Sequence, residues 1–296
     1  MFKRKLAAAC LAAVLTLPVL TGCSGGEKIV VGSKDFTENQ ILAEMMAQLI
    51  EKKNNLPVER KINMGGTLVC FEAIQKGQID LYPEYTGTSL MEELKLPLDS
   101  DSERVYQTVS EQFKSKYHIK WLKPFGFNNT YALAVPAETA QKNNLETISD
   151  FIPFSKNATF GAEQEFFNRA DGYDGMTKAY GLSFKNVVKM GISLKYQAVR
   201  QGKINVTDAF TTDGQLKALN LKVLTDDKHY FPPYHGAPIV REETLKKHPE
   251  IEETLNALGG AIDDATMQDL NYRADSKGQS IEKVASDFLK EKGLIE

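Results

Sequence analysis

The chain has 296 residues, with 36 basic against 39 acidic side chains and a net charge of −3 at pH 7. Charges of both signs are interspersed and no basic stripe forms, which argues against a nucleic-acid-binding protein. Setting aside an N-terminal leader, roughly 270 residues remain, enough for two lobes with a core each.

In chain order, Lys3, Arg4 and Lys5 form a positive segment, and Leu6 to Leu20 is nearly free of polar side chains. That length suits the apolar region of a signal peptide and falls short of the ~20 residues of a spanning helix. It ends in Leu20-Thr21-Gly22-Cys23, followed by Ser24-Gly25-Gly26. Small residues admit a peptidase, and a cysteine just beyond supplies a thiol for a lipid. The expected organisation is a lipoprotein signal peptide over 1–22, lipidation at Cys23 and a short tether over 23–28. This anchors the protein to the extracytoplasmic face of the cell membrane. An ordinary signal peptide with Cys23 incidental is the alternative. Cys10 falls in the leader, so Cys70 is left without a disulfide partner, and its neighbours Val69 and Phe71 suggest a buried, inert thiol.

Ile29-Val30-Val31-Gly32 reads as a first strand. Thr37 and Gln40 have capping-box spacing, and Ile41, Met45 and Leu49, widened by Leu42, Met46 and Ile50, mark a helix. Val58 to Met64 suits a strand, Gly65-Gly66-Thr67 turns into a short helix, and Ile79 to Tyr82 is the next strand. Val105, Val109 and Phe113 predict a helix, and Tyr131 to Val135 a strand ended by Pro136. The alternation then resumes: helix near 145–151, strand 158–161, helix near 175–180, strand 187–192. Residues 241 to the C-terminus read as mostly helical, ending in a helix over 282–292. Strands alternating with helices indicate an α/β architecture. The segment 198–205 (AVRQGKIN) echoes 73–80 (AIQKGQID), each reading as helix, glycine cap and strand.

The catalytic inventory is thin. His118, His229, His235 and His248 show no metal-ligand spacing, and there is neither a nucleophile elbow nor a P-loop. Neither a metal nor a cofactor is implied. The aromatic distribution is more informative. Rings fall at strand ends or turns in the runs 82–88 (YPEYTGT), 128–131 (NNTY), 209–214 (AFTTDG) and 229–234 (HYFPPY). In open α/β sheets, ligands bind beyond the carboxyl ends of the strands. Facing rings make a box for a trimethylammonium group, which donates no hydrogen bonds and is held by π-faces at ~0.5–2 kcal/mol per ring. Three or four such contacts, with hydrogen bonds to the rest of a ligand, account for micromolar binding, ~8 kcal/mol.

The runs 32–39 (GSKDFTEN), 65–67 (GGT), 80–88 (DLYPEYTGT), 169–173 (RADGY) and 211–214 (TTDG) resemble, in that order, the osmoprotectant-binding lipoproteins of ABC importers. These are the binding components for glycine betaine, carnitine and choline, and the resemblance covers essentially the whole chain after the leader. It implies an α/β, two-lobe type II periplasmic-binding-protein fold with a ligand cleft between the lobes. Lobe 1 would comprise 29–134 plus 236–296 and lobe 2 residues 135–235, with crossings near Val135 and near Tyr234 to Pro238. It also implies a cage of Tyr85, Tyr131, Tyr234 and Phe210, the last where relatives often have Tyr. Leu68 stands where relatives often carry a polar residue, which removes a contact suited to choline. Thr67, Thr88 and Gln40 are nearby polar candidates, Gln40 reading equally as a capping or exposed residue. The Arg169 fork suits a ligand carboxylate or an ion pair with Asp171.

The implied partners are a small quaternary ammonium ligand, ABC permease subunits and the membrane through acylated Cys23, with the protein itself a monomer. The reading is of a binding protein and not an enzyme. The alternative ligands are ergothioneine or an amino acid, the latter requiring an acid to meet Arg169 in the cleft. A sensory module sharing the fold is disfavoured by the lipidation motif expected at 20–23 (LTGC).

Overall fold

Short apolar runs separated by amphipathic stretches resolve into two five-stranded mixed sheets. The computed structural model describes residues 28–296; the signal peptide expected over 1–22, Cys23 and all but the last residue of the tether expected over 23–28 lie outside the described residues. Strands β1 (Ile29–Gly32), β2 (Val58–Lys61), β3 (Leu81–Tyr85) and β4 (Ile119–Trp121) come first. Then follow β5 (Tyr131–Pro136), β6 (Thr159–Ala162), β7 (Asn186–Lys189), β8 (Val206–Phe210) and β9 (Leu221–Leu224), and finally β10 (Gly236–Arg241). The first sheet has the order β2-β1-β3-β10-β4 and the second β7-β6-β8-β5-β9.

These orders are one plan used twice. In each sheet, two parallel neighbours precede a central strand, and a strand that arrives from the other sheet pairs antiparallel beside it. The echo between 73–80 and 198–205 extends to side chains. Asp80 accepts from the Val30 N–H at 2.8 Å, and Asn205 accepts from the Thr159 N–H at 2.7 Å. Gly77 and Gly202 end the preceding helices at φ +67° and +68°, a left-handed conformation that glycine adopts without a Cβ clash.

The helix Thr37–Leu49 buries more than one face. Ile41, Leu42, Met45, Met46 and Leu49 are all buried, because the first sheet covers one side and the helices Asp264–Asp275 and Ile281–Glu291 cover another. Each such side chain contributes ~1.5–3 kcal/mol relative to exposure. The capping box does not form. The N-cap is Phe36, with no side-chain bond, and the Thr37 hydroxyl instead donates to Asp275 at 2.5 Å, across to the C-terminal helices.

Two further expectations are corrected. β7 stops at Lys189 and a helix begins at Ile192, so the strand expected over 187–192 is shorter. Tyr131 to Ala134 already pair with β8, so the first passage between sheets lies ahead of Tyr131 and not near Val135. There Asn128 bridges His235, the Asn129 N–H bonds the Tyr234 carbonyl at 3.1 Å, and the Tyr234 N–H bonds the Asn128 side chain at 2.7 Å. The two crossing segments thus run side by side as a hydrogen-bonded pair. No helix among the described residues is long and apolar enough to cross a membrane. Cys70 is buried, and burial pushes its thiol up to about 12, so it stays protonated.

Candidate ligand-binding site

A cavity of about 100 Å³ lies between the sheets, where the strand ends and the two crossing segments converge. Tyr85 ends β3, Phe210 ends β8, Tyr131 begins β5 and Tyr234 lies two residues ahead of β10. Tyr131 and Phe210 are direct cross-strand partners, their ring centroids 4.5 Å apart. Tyr234 meets the Tyr131 ring edge-on at 5.8 Å. These three rings form a continuous wall. Tyr85 lies instead beside Phe36, at 5.9 Å, and both line the same cavity. Burial pushes the Tyr85, Tyr131 and Tyr234 phenols well above their ordinary range, so they remain neutral and present uncharged π-faces.

The Tyr85-Thr86-Gly87-Thr88 run has a steric reason. The Thr86 hydroxyl donates to the Pro233 carbonyl at 2.8 Å, drawing the aromatic loop onto the turn. A Cβ on Gly87 would lie 2.8 Å from that carbonyl and 2.9 Å from the Tyr234 ring, so only glycine lets Tyr234 seat here. On the opposite side, Asp213 accepts from the Phe210 N–H at 3.0 Å and from the Tyr196 hydroxyl, which fixes the turn carrying Phe210.

The polar part of the lining carries two cations. Lys34, buried, donates to Thr67 at 2.9 Å and to Glu84 at 2.5 Å. Arg169 forms a fork with Asp171, both bonds 2.8 Å, and its guanidinium lies 5.6 and 5.8 Å from the Tyr131 and Tyr234 ring centroids. Its remaining nitrogen, Nη1, is only loosely engaged, 3.7 Å from Glu165. Arg169 is therefore both an ion-pair partner of Asp171 and a cavity residue. Thr88 also lines the cavity, as do the acids Glu163 and Asp213.

Glu38 ties this region together from below. One carboxylate oxygen accepts from the Tyr85 hydroxyl at 2.9 Å and the Asn129 amide at 2.6 Å. The other accepts from the Thr212 hydroxyl at 2.6 Å and the Asn271 amide at 2.9 Å. The donors come from the first sheet, the crossing segment, the turn after β8 and a C-terminal helix. Burial lifts the Glu38 carboxyl to about 7, against the four donors that pull it down.

The structure thus brings together Tyr85, Tyr131, Phe210, Tyr234, Thr67, Thr88 and Arg169. Leu68 and Gln40 do not join them. The helix that begins at Thr67 turns Thr67 inward and leaves Leu68, one residue on, 62% exposed. Gln40 is partly buried on its helix, and its backbone N–H bonds the Phe36 carbonyl. Lys34, Phe36, Asn129, Glu163 and Asp213 escaped the reading of the sequence. The first two sit inside the 32–39 run, Asn129 inside the 128–131 run and Asp213 inside the 211–214 run, but nothing in the sequence signalled Glu163.

The sequence matches the family described as the substrate-binding domain of ABC-type glycine betaine transport systems over residues 27–291. The chain belongs to that family. It is 38% identical over 283 residues to the carnitine transport binding protein OpuCC of Listeria monocytogenes serotype 1/2a (strain 10403S), covering 95% of this chain and 92% of the relative. It is 42% identical over 267 residues to the ergothioneine transport permease/ergothioneine binding protein EgtU of Helicobacter pylori (strain G27). That match covers 90% of this chain but 48% of the relative, so the chain spans about half that protein's length. A crystal structure of a glycine betaine/carnitine/choline ABC transporter protein shares 36% identity at a TM-score of 0.81, covering 91% of this chain and all of the other. The two-sheet architecture is accordingly the type II periplasmic-binding-protein fold, and the relatives are transport substrate-binding proteins.

Proposed function

We propose that this chain captures a zwitterionic quaternary ammonium solute of the betaine or carnitine type and delivers it to an ABC importer. The observation that carries the reading is the wall of Tyr131, Phe210 and Tyr234 facing the same cavity as Tyr85, with Lys34 and Arg169 beside it. The rings suit a dry trimethylammonium head, and the two cations suit a carboxylate. Choline, which has no carboxylate, would make no use of the two cations and is the weaker candidate. Relatives that carry ergothioneine or carnitine in their names support the same chemistry, since both solutes combine the two groups.

In this account the two sheets belong to two lobes that close over the ligand by a hinge at the paired segments around Asn128 and His235. The site residues are Tyr85, Tyr131, Phe210, Tyr234, Thr67, Thr88, Lys34 and Arg169. Acylated Cys23 holds the protein at the membrane beside permease subunits, and it works there as a monomer without catalysing a reaction. An amino acid is the second reading, favoured by the acids Glu163 and Asp213 in the same cavity as Arg169, whereas ergothioneine, itself a betaine, falls within the first.

Calorimetry of the purified protein against glycine betaine, carnitine, proline betaine, choline and ergothioneine, with lysine and glutamine as controls, tests this. At least one quaternary ammonium zwitterion binds saturably near micromolar affinity, and Phe210→Leu weakens it about tenfold, the worth of one ring. Heat from lysine or glutamine alone, or from nothing in folded protein, refutes the cage.

A further inference from the structure

The repeated plan of the two sheets makes positions of the two lobes equivalent. Val30 and Thr159 donate to the matching Asp80 and Asn205. Gly32 and Gly161 each pack against the isoleucine just before that residue, Ile79 or Ile204. Counting forward from the glycines, Lys34 corresponds to Glu163. Counting forward from Asp80 and Asn205, Tyr85 corresponds to Phe210. At these equivalent positions each lobe therefore gives the cavity an aromatic ring and a buried ionisable side chain, the latter of opposite sign in the two lobes.

The two ionisable residues differ in one respect. Lys34 is committed to Thr67 and Glu84. Glu163 is 6% exposed and lines the cavity, yet among the described residues its carboxylate has no hydrogen-bond or ion-pair partner. The nearby cation, Lys195, is already bound to Asp208 at 2.8 Å, both fully buried. Burial lifts Glu163 to about 7, with Asp208, Glu165 and Asp213 adding to the rise and Lys195 opposing it. A carboxyl that lines the cavity without a protein donor is an acceptor left free for a group that enters the cavity.

We infer that Glu163 reads a third group on the ligand: a hydrogen-bond donor, N–H or O–H, carried in addition to the quaternary ammonium and the carboxylate. This rests on the zwitterion reading above and narrows it. A donor-bearing betaine satisfies the cage, the cations and Glu163 together. A donor-free betaine leaves Glu163 desolvated and unpaired, and a site built to bond a donor rejects analogues that lack it more strongly than apolar pockets reject a methylene. Glu163 is then a specificity-determining residue of the second lobe, not a general counter-charge for the ammonium.

The test is calorimetry of wild type, Glu163→Gln and Glu163→Ala against matched probes. Carnitine and ergothioneine carry a donor. γ-Butyrobetaine, which is carnitine without its hydroxyl, and glycine betaine carry none. Thermal melts establish that each variant is folded, the near-isosteric glutamine serving if alanine fails. The expected result is that wild type binds a donor-bearing probe at least tenfold more tightly than the donor-free ones. Glu163→Ala then weakens that probe tenfold or more, Glu163→Gln weakens it less, and donor-free affinities move under threefold. An equal loss for all quaternary probes makes Glu163 a counter-charge and overturns the inference, as does no loss for any, or wild-type preference for the donor-free probes. Wild type that binds no quaternary ammonium overturns the cage reading and this one with it; every other failure leaves the cage standing.

Discussion

Replacing Glu38 by glutamine removes one proton-binding group from the interior without changing its size, and the consequence for stability can be worked out. The buried carboxyl sits at about 7 against an ordinary 4.5. In the unfolded chain it ionises near 4.5. Between pH 4.5 and 7 the unfolded state sheds a proton that the folded state retains, so the folded state loses ground as pH rises. The contribution is complete below 4.5 and gone above 7. At 1.36 kcal/mol per pKa unit the difference is about 3 kcal/mol. With ~2–4 °C per kcal/mol for chains somewhat shorter than this, the wild type should lose roughly 6–12 °C more in Tm than Glu38→Gln between pH 5 and pH 8. Other groups lifted by burial, among them Glu163 and Asp275, are present in both proteins and cancel. Melting curves of both proteins at the two pH values are sufficient. Parallel pH profiles would refute the argument, because they would mean that Glu38 ionises alike in both states.

Three further outcomes follow from the same geometry. Lys34→Met leaves Glu84, which is fully buried, without its cation; denaturant titration should show a loss of about 3–5 kcal/mol, and an unchanged midpoint would contradict the pairing. Gly87→Ala drives a Cβ into the Pro233 carbonyl and the Tyr234 ring, costing about 1–3 kcal/mol and at least tenfold in solute affinity; if affinity survives, Tyr234 is not held by this turn. Phe210→Tyr keeps the π-face and adds a hydroxyl, so affinity for a quaternary ammonium should change less than threefold by calorimetry. A tenfold change would mean that hydrogen bonding at this position, and not the ring, decides binding.

Periodicity made much of the fold legible, and the 73–80 and 198–205 echo pointed to a repeated plan that extends to the order of all ten strands. β10 stayed hidden because Pro238 argues against a central strand. In the sheet it lies opposite Pro83, in a pair whose carbonyls both point outward, Pro83 to Asn39 and Pro238 to Leu122, so the missing N–H groups cost the β3–β10 ladder nothing. The crossing ahead of Tyr131 was hidden for a related reason: an apolar strand looks the same whichever sheet it joins. In the candidate site, the rings at strand ends could be picked out as candidates because ligands in α/β sheets bind beyond the strand ends. Lys34 and Glu163 could not, since a charged residue just after a strand reads as a solvated turn until the fold turns it inward. Leu68 falls outside the cavity that Thr67 lines because one residue along a helix is a rotation of about 100°.

The most direct test of the central claim is a crystal structure of the protein with its tightest-binding quaternary ammonium solute. The account predicts the ammonium nitrogen within about 6 Å of the Tyr131, Phe210, Tyr234 and Tyr85 ring centroids, with the carboxylate on Lys34 or Arg169. A solute bound outside these rings, or one whose ammonium contacts carboxylates while the rings pack only on each other, would contradict it.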